Sequence, residues 1–165
     1  MDINNYANYH LWAGDKIRAI IEELSKEEFT KELGDYFSHK TIRDLCLHSM
    51  GACEFCLALV DDVDPAIFNA RYKVLQQQPQ QEILQAWKQT DQKYSQLLQS
   101  DVSGEILVPP VLGKSFKISK FDFLLQYITH STYHRGQIII ALKKLEKEVV
   151  GTDYLFYMNE ITTKE

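Results

Sequence analysis

Apolar residues recur along this chain at a spacing near 3.6, the period of one helix face, in four separate stretches. The first runs from Ile3 to Leu24, with Tyr6, Tyr9, Ala13, Ile17, Ile20 and Leu24 on one face, and gives way to the polar pair Ser25-Lys26. A second helix is predicted from Thr41, whose hydroxyl can cap it, with Asp44 three residues on completing an approximate capping box. Its apolar face carries Leu45, Ala52, Phe55 and Leu59 and stops before Asp61-Asp62-Val63-Asp64-Pro65. Ser49, Gly51, Ala52 and Cys53 cluster on this helix. A glycine there costs about 1 kcal/mol against alanine, so the small residues predict close approach of a neighbouring element.

From Asp61 to Gln81 the periodicity is lost, which reads as a long crossover with room for one short helical piece. The third helix begins near Pro79, a favoured first-turn residue, and uses Ile83, Trp87, Tyr94 and Leu98. Ile106 to Val108, Pro109-Pro110 and Val111 to Ile118 then predict a short hairpin-like excursion turning near Gly113. The fourth helix, Ser119 to Leu145, is the longest and most apolar, with Phe121, Phe123, Leu124, Leu125, Tyr127 and Ile128, then Ile138, Ile139 and Ile140. A helix apolar most of the way round sits centrally in a fold or beneath a second subunit, so a homodimer is expected. The elements add up to an all-α four-helix bundle with a long crossover between helices two and three. Nothing divides residues 1–165 into two domains.

Composition changes this picture little. With 165 residues, 45% of them hydrophobic, the chain can build one substantial core. A net charge of −5 without a basic stripe excludes nucleic acid as an expected partner. No run approaches the roughly 18 apolar residues that span a bilayer, and Met1 to Tyr9 lack the apolar core of a signal peptide. The expectation is a cytoplasmic protein without a membrane partner. Cys46, Cys53 and Cys56 form an odd set in one apolar stretch, which fits a reducing compartment better than a disulfide framework. Cys53 and Cys56 have CxxC spacing, but inside a helical pattern with no second pair they read as packing residues.

The chemistry concentrates in the histidines. His130 and His134 stand four apart on the fourth helix, so both imidazoles share a face and can grip one ion. That face also carries Phe123, Tyr127, Gln137 and Ala141 and points inward. His48 shares the inward face of the second helix with Leu45 and Ala52. Buried imidazoles left unsatisfied cost about 1–3 kcal/mol each, and a shared metal satisfies all three. Ser131 occupies the place where an HExxH protease carries its base, which disfavours peptide hydrolysis. Three nitrogen ligands leave coordination positions open, as in catalytic sites, and zinc, nickel, cobalt and iron(II) all accept them. Gln137, one turn past His134, can orient a ligand or a water, and His10 can face the core beside Tyr6 and Ile17 as a residue supporting the site. His39, before the helix cap, is expected in solvent. Tyr133 and Arg135 point about 100° from the ligand pair and are expected at a surface or interface.

The stretch His130-Ser-Thr-Tyr-His-Arg-Gly-Gln-Ile138 resembles the C-terminal signature of the DinB family of damage-inducible helical bundles, which is unrelated to the DNA polymerase of that name. Tyr9-His-Leu-Trp-Ala-Gly14, Thr41 to His48 followed by Glu54, and Gly151-Thr-Asp-Tyr154 resemble its other characteristic segments. The resemblance implies a bundle, usually dimeric, with a metal on His48, His130 and His134 and with Glu54 among the supporting residues. His10 and Gly14 stand where the family often has asparagines. The resemblance further implies a metal-dependent, thiol S-transferase type of activity, in which a small-molecule thiol attacks a small electrophile. The alternatives are a non-catalytic metal-binding stress-response protein and a metal-assisted hydrolase.

Overall fold

The computed structural model describes residues 3–100, 102–110 and 113–163 of the chain. Four long helices dominate it: α1 (Ile3–Glu22), α3 (Ile42–Val60), α5 (Gln80–Leu98) and α6 (Lys120–Lys144). Three shorter ones, α2 (Lys26–Phe29), α4 (Pro65–Leu75) and α7 (Tyr154–Thr162), fill the connections and the C-terminal end. Strands β1 (Glu105–Val108) and β2 (Phe116–Ser119) pair antiparallel, with Ile106 opposite Ile118. The class is all-α, as the periodicity predicts.

Local chemistry sets the starts of these elements. The Thr41 hydroxyl accepts from the Asp44 amide, and Ser119 does the same for Asp122. Each satisfies one orphan donor of a first turn. Gly113 takes φ +93° in the hairpin connection, a conformation glycine adopts without penalty; Val111 and Leu112 of the predicted excursion lie outside the described residues. Two helices escape the periodicity. One is α2, a single turn held by a full capping box between Ser25 and Glu28, too short to show a period. The other is α7. The crossover also holds more structure than its sequence suggests, since α4 runs for 11 residues from an Asp64 cap.

Helix α1 packs on α5 and α6, and α3 packs on α5, α6 and α4. The small-residue stripe of α3 meets α4: a Cβ on Gly51 would lie 2.6 Å from Cε2 of Tyr72. The apolar core falls into two large clusters, beside a small third one of Tyr9, Ala13 and Tyr157. One gathers Ile17, Ile21, Leu45, Met50, Trp87 and Ile138. The other gathers Ala7, Cys53, Tyr94, Leu98, Leu124 and Tyr127. Along α5 and α6 the residues between these two clusters, 88–93 and 129–137, are mostly polar, and His10 of α1 faces them, so a polar band separates the two clusters. All three cysteines are free and buried, and burial pushes the Cys56 thiol up to about 12, which suits packing rather than reactivity. The fourth helix keeps part of its surface open, with Phe121, Tyr133 and Ile140 exposed. Among the described residues no helix is long and apolar enough to cross a membrane.

Asp91 is the centre of the hydrophilic band. Its carboxylate is fully buried on α5, at a position where the spacing Leu84-Trp87-Asp91-Tyr94-Leu98 calls for an apolar side chain. Arg18 donates to Oδ2 at 2.5 Å, His10 Nε2 lies 3.0 Å from Oδ1, and the Tyr127 hydroxyl, which donates to the Ser49 carbonyl at 3.1 Å, lies 3.4 Å from Oδ1. Burial alone would raise the Asp91 pKa; His10 and Arg18 outweigh it and hold the carboxyl below its ordinary range. A Cβ on Gly14 would meet both Arg18 guanidinium nitrogens at 2.9 Å and Asp91 Oδ2 at 3.0 Å. His10 and Gly14, the two departures from the resemblance, therefore serve one ion pair. The polar partners also turn α1: His10, Gly14 and Arg18 are buried, while Tyr6 and Ile20 of the predicted stripe are only half-buried. Removing one member of a buried pair strands the other, at about 3–5 kcal/mol. Asp91→Ala should lose that much stability in urea unfolding, and a loss below about 1 kcal/mol would contradict the ion pair's role.

Candidate metal centre

Helix α6 presents His130 and His134 one turn apart toward α3, which carries His48. The ring centroids lie 4.4 Å (His48–His134), 4.5 Å (His130–His134) and 5.1 Å (His48–His130) apart. One nitrogen from each ring lies within 4.8 Å of the other two. His134 is buried while His48 and His130 are half-buried, so the cluster sits at the edge of the packed interior with one side toward solvent.

The donor set fits a metal ion on evidence of its own. His130 Nε2 and His134 Nδ1 are buried without a hydrogen-bond partner, a state that buried polar atoms rarely tolerate. Gln137 stands one turn past His134 on α6, close enough to raise the pKa of that ring against the effect of burial. Ser38 in turn donates to Gln137 Oε1 at 2.5 Å. Burial, then the neighbouring imidazoles, push His48 and His134 down to about 4 and lower His130 as well. The rings therefore stay neutral at ordinary pH, the form that ligates.

The other histidines and neighbours settle as follows. His39 is not in solvent: it is half-buried, its ring 4.2 Å from that of His48 and 5.7 Å from that of His134. Its loop folds back on α6, an arrangement that helix periodicity does not encode. His10 lies against Tyr94 and Tyr127 and bonds Asp91, with Ser131 Oγ 3.4 Å from its Nδ1. Glu54 pairs with Arg71 at 3.1 Å and accepts from Thr90 at 3.1 Å. Both make their polar contacts away from the three rings. Glu54 and Arg71 help to line a cavity of about 540 Å³, with Leu57, Phe68, Thr90 and Lys93, which no histidine lines. Tyr133 is exposed but keeps its ring 4.9 Å from His134. Arg135, expected at a surface, is buried instead and donates to the Tyr9 hydroxyl at 2.6 Å.

Sequence reasoning missed Asp91, Arg18, Ser38 and His39. Asp91 had a signal: an acid in the apolar register of α5. Ser38 and His39 had none, since nothing local reports which way the twelve-residue connection between α2 and α3 will fold.

The DinB family model matches residues 1–165. Among solved structures, the fold is similar to a crystal structure assigned to the DinB family from Exiguobacterium sibiricum 255-15 (TM-score 0.67, 18% identity, 92% of this chain and 97% of that one). It is also similar to a DinB-like protein from Bacillus cereus ATCC 10987 (TM-score 0.59, 15% identity, 85% of this chain and 90% of that one). At these identities the likeness concerns the fold. No curated protein matches.

The depressed histidines make a stability prediction for metal-free protein. Their folded pKa, about 4 for His48 and His134, lies below the unfolded value of about 6.5. The unfolded chain thus takes up protons first. Stability from this source is present above pH about 6.5 and is lost as pH falls towards 4. The melting temperature should drop through that window, and less steeply for His48→Gln and His134→Gln. Equal slopes in wild type and variants would count against the clustered rings.

Proposed function

Because the chain belongs to the DinB family, we propose that it is a metal-dependent enzyme of the thiol S-transferase type. A divalent zinc, nickel or iron ion is held on His48, His130 and His134. The observation that carries the reading is the pair of buried, unpartnered imidazole nitrogens in a three-histidine cluster open on one side. A divalent ion bound there supplies a Lewis acid that lowers the pKa of a ligating thiol. Around it, Gln137 stands beside His134, Ser38 donates to Gln137, and the exposed Tyr133 flanks the His134 ring. In the reaction the thiol releases its proton to water, and its sulfur forms a bond to the electrophilic carbon. The leaving group departs with the bonding electron pair. Free, buried cysteines accord with a cytoplasmic setting, where low-molecular-weight thiols are abundant.

One observation favours a non-catalytic, metal-binding role instead: the cavity of about 540 Å³ is lined by none of the histidines. Turnover decides between the two. Zinc- or nickel-loaded protein, given bacillithiol, glutathione or cysteine with a chromogenic electrophile, should exceed His130→Ala by on the order of 10²-fold. Metal binding with no rate above that variant for any thiol would leave the binding role.

We read the four long helices as a bundle, with α4 in the crossover between its second and third members. The open flank of α6 (Phe121, Tyr133 and Ile140) supports a two-fold homodimer. Light scattering at micromolar concentration should return twice the 19.2 kDa chain mass, and a monomer mass would remove the dimer.

A further inference from the structure

The cavity of about 540 Å³ lies between α3, α4 and α5, and its walls divide by chemistry. Leu57 and Ala58 of α3, Ile67 and Phe68 of α4 and Leu97 of α5 give it an apolar lining. Glu54, Thr90, Arg71 and Lys93 bring polar and charged groups to one end of it. Asp61 lines it seven residues beyond Glu54 on α3, ~10 Å further along the helix.

The fold leaves the apolar lining uncovered. Helix α4 has no fully buried side chain among those described, and Ile67 keeps 63% of its surface exposed. The helix is held by a few contacts to α3: Tyr72 over Gly51, Phe68 beside Phe55 and Arg71 on Glu54. A concave apolar wall left in water, with a few convergent polar groups, is the make-up of a small-molecule site.

The charges choose the ligand. Glu54 is buried, and its Oε1 takes both Arg71 and Thr90 at 3.1 Å, so it needs no cation from elsewhere. Arg71 gives Glu54 one nitrogen, Nη2, and makes no other hydrogen bond to a described residue. Lys93, three residues past Thr90, has no carboxylate partner among the described residues. The charge left without a partner at this end is therefore positive.

We propose that this cleft binds a small amphipathic carboxylate, with its head on Lys93 and Arg71. Its apolar body lies along Leu57, Phe68 and Leu97 and stops short of Asp61. The site is separate from the metal centre, since no histidine lines the cavity.

Decanoate, decanol and decyltrimethylammonium share a tail and differ in the charge of the head, so together they test the site. In isothermal titration of the full chain, decanoate should bind at one site, about 10-fold more tightly than the other two. Its affinity should be the same with added zinc and with EDTA. Lys93→Gln should weaken decanoate about 5- to 10-fold and leave decanol unchanged. Lys93 is exposed, so the variant should keep the wild-type melting temperature. Ala58→Phe, which places a ring in the cleft, should remove decanoate binding while circular dichroism stays that of wild type. Three heads bound alike, or equal decanoate affinity in wild type and Lys93→Gln, would overturn the proposal. So would decanoate that bound only in the presence of zinc, or not at all at millimolar concentration.

Discussion

A carboxylate with no access to water stays ionised only if its neighbours replace the water, and Asp91 is such a group. Its partners come from outside its own helix: Arg18 and His10 from α1 and Tyr127 from α6. Sliding any of these helices by one turn would leave a buried charge uncompensated, so the ion pair selects one register among the packings that apolar contact alone would permit. It also explains the glycine at position 14, where any side chain would intrude on the pair. Arg18 is further held by the Trp87 ring, 5.1 Å from the guanidinium carbon, which ties the charged layer to the apolar cluster beside it.

The histidine cluster depends on that register. Tyr127 donates to the Ser49 carbonyl of α3 at 3.1 Å with Asp91 Oδ1 3.4 Å away, and it stands three residues before His130. Fixing Tyr127 between α3 and α5 therefore fixes the face of α6 that brings His130 and His134 to His48. The cluster and the ion pair share the polar band between the two apolar cores, but they solve opposite problems. Asp91 is fully satisfied by protein groups. The imidazoles keep two nitrogens unsatisfied, which is a cost to the fold and the property that suits them to an ion.

Local patterns in the sequence located the four long helices, the cap at Thr41, the turn near Gly113 and the hairpin-like excursion, because each rests on contacts between residues close in the chain. The spacing of His130 and His134 likewise follows from helical geometry alone. Helices α2 and α7 were not legible: α2 is shorter than the period that would reveal it, and α7 carries no clear stripe because little of it beyond Tyr157 is buried.

Tertiary structure alone decided the rest. That His48 meets the α6 pair depends on how α3 packs, and that His39 joins them depends on a loop closed between Leu33 and Lys40 and clamped by Lys144. Glu54 and His10 have the residue types of a metal site's neighbours, yet packing delivers them to Arg71 and to Asp91. Local sequence determines which face of a helix a side chain occupies, because backbone geometry repeats every few residues. Which other face it meets is set by burial and charge compensation summed over the whole chain, and no local stretch contains that sum.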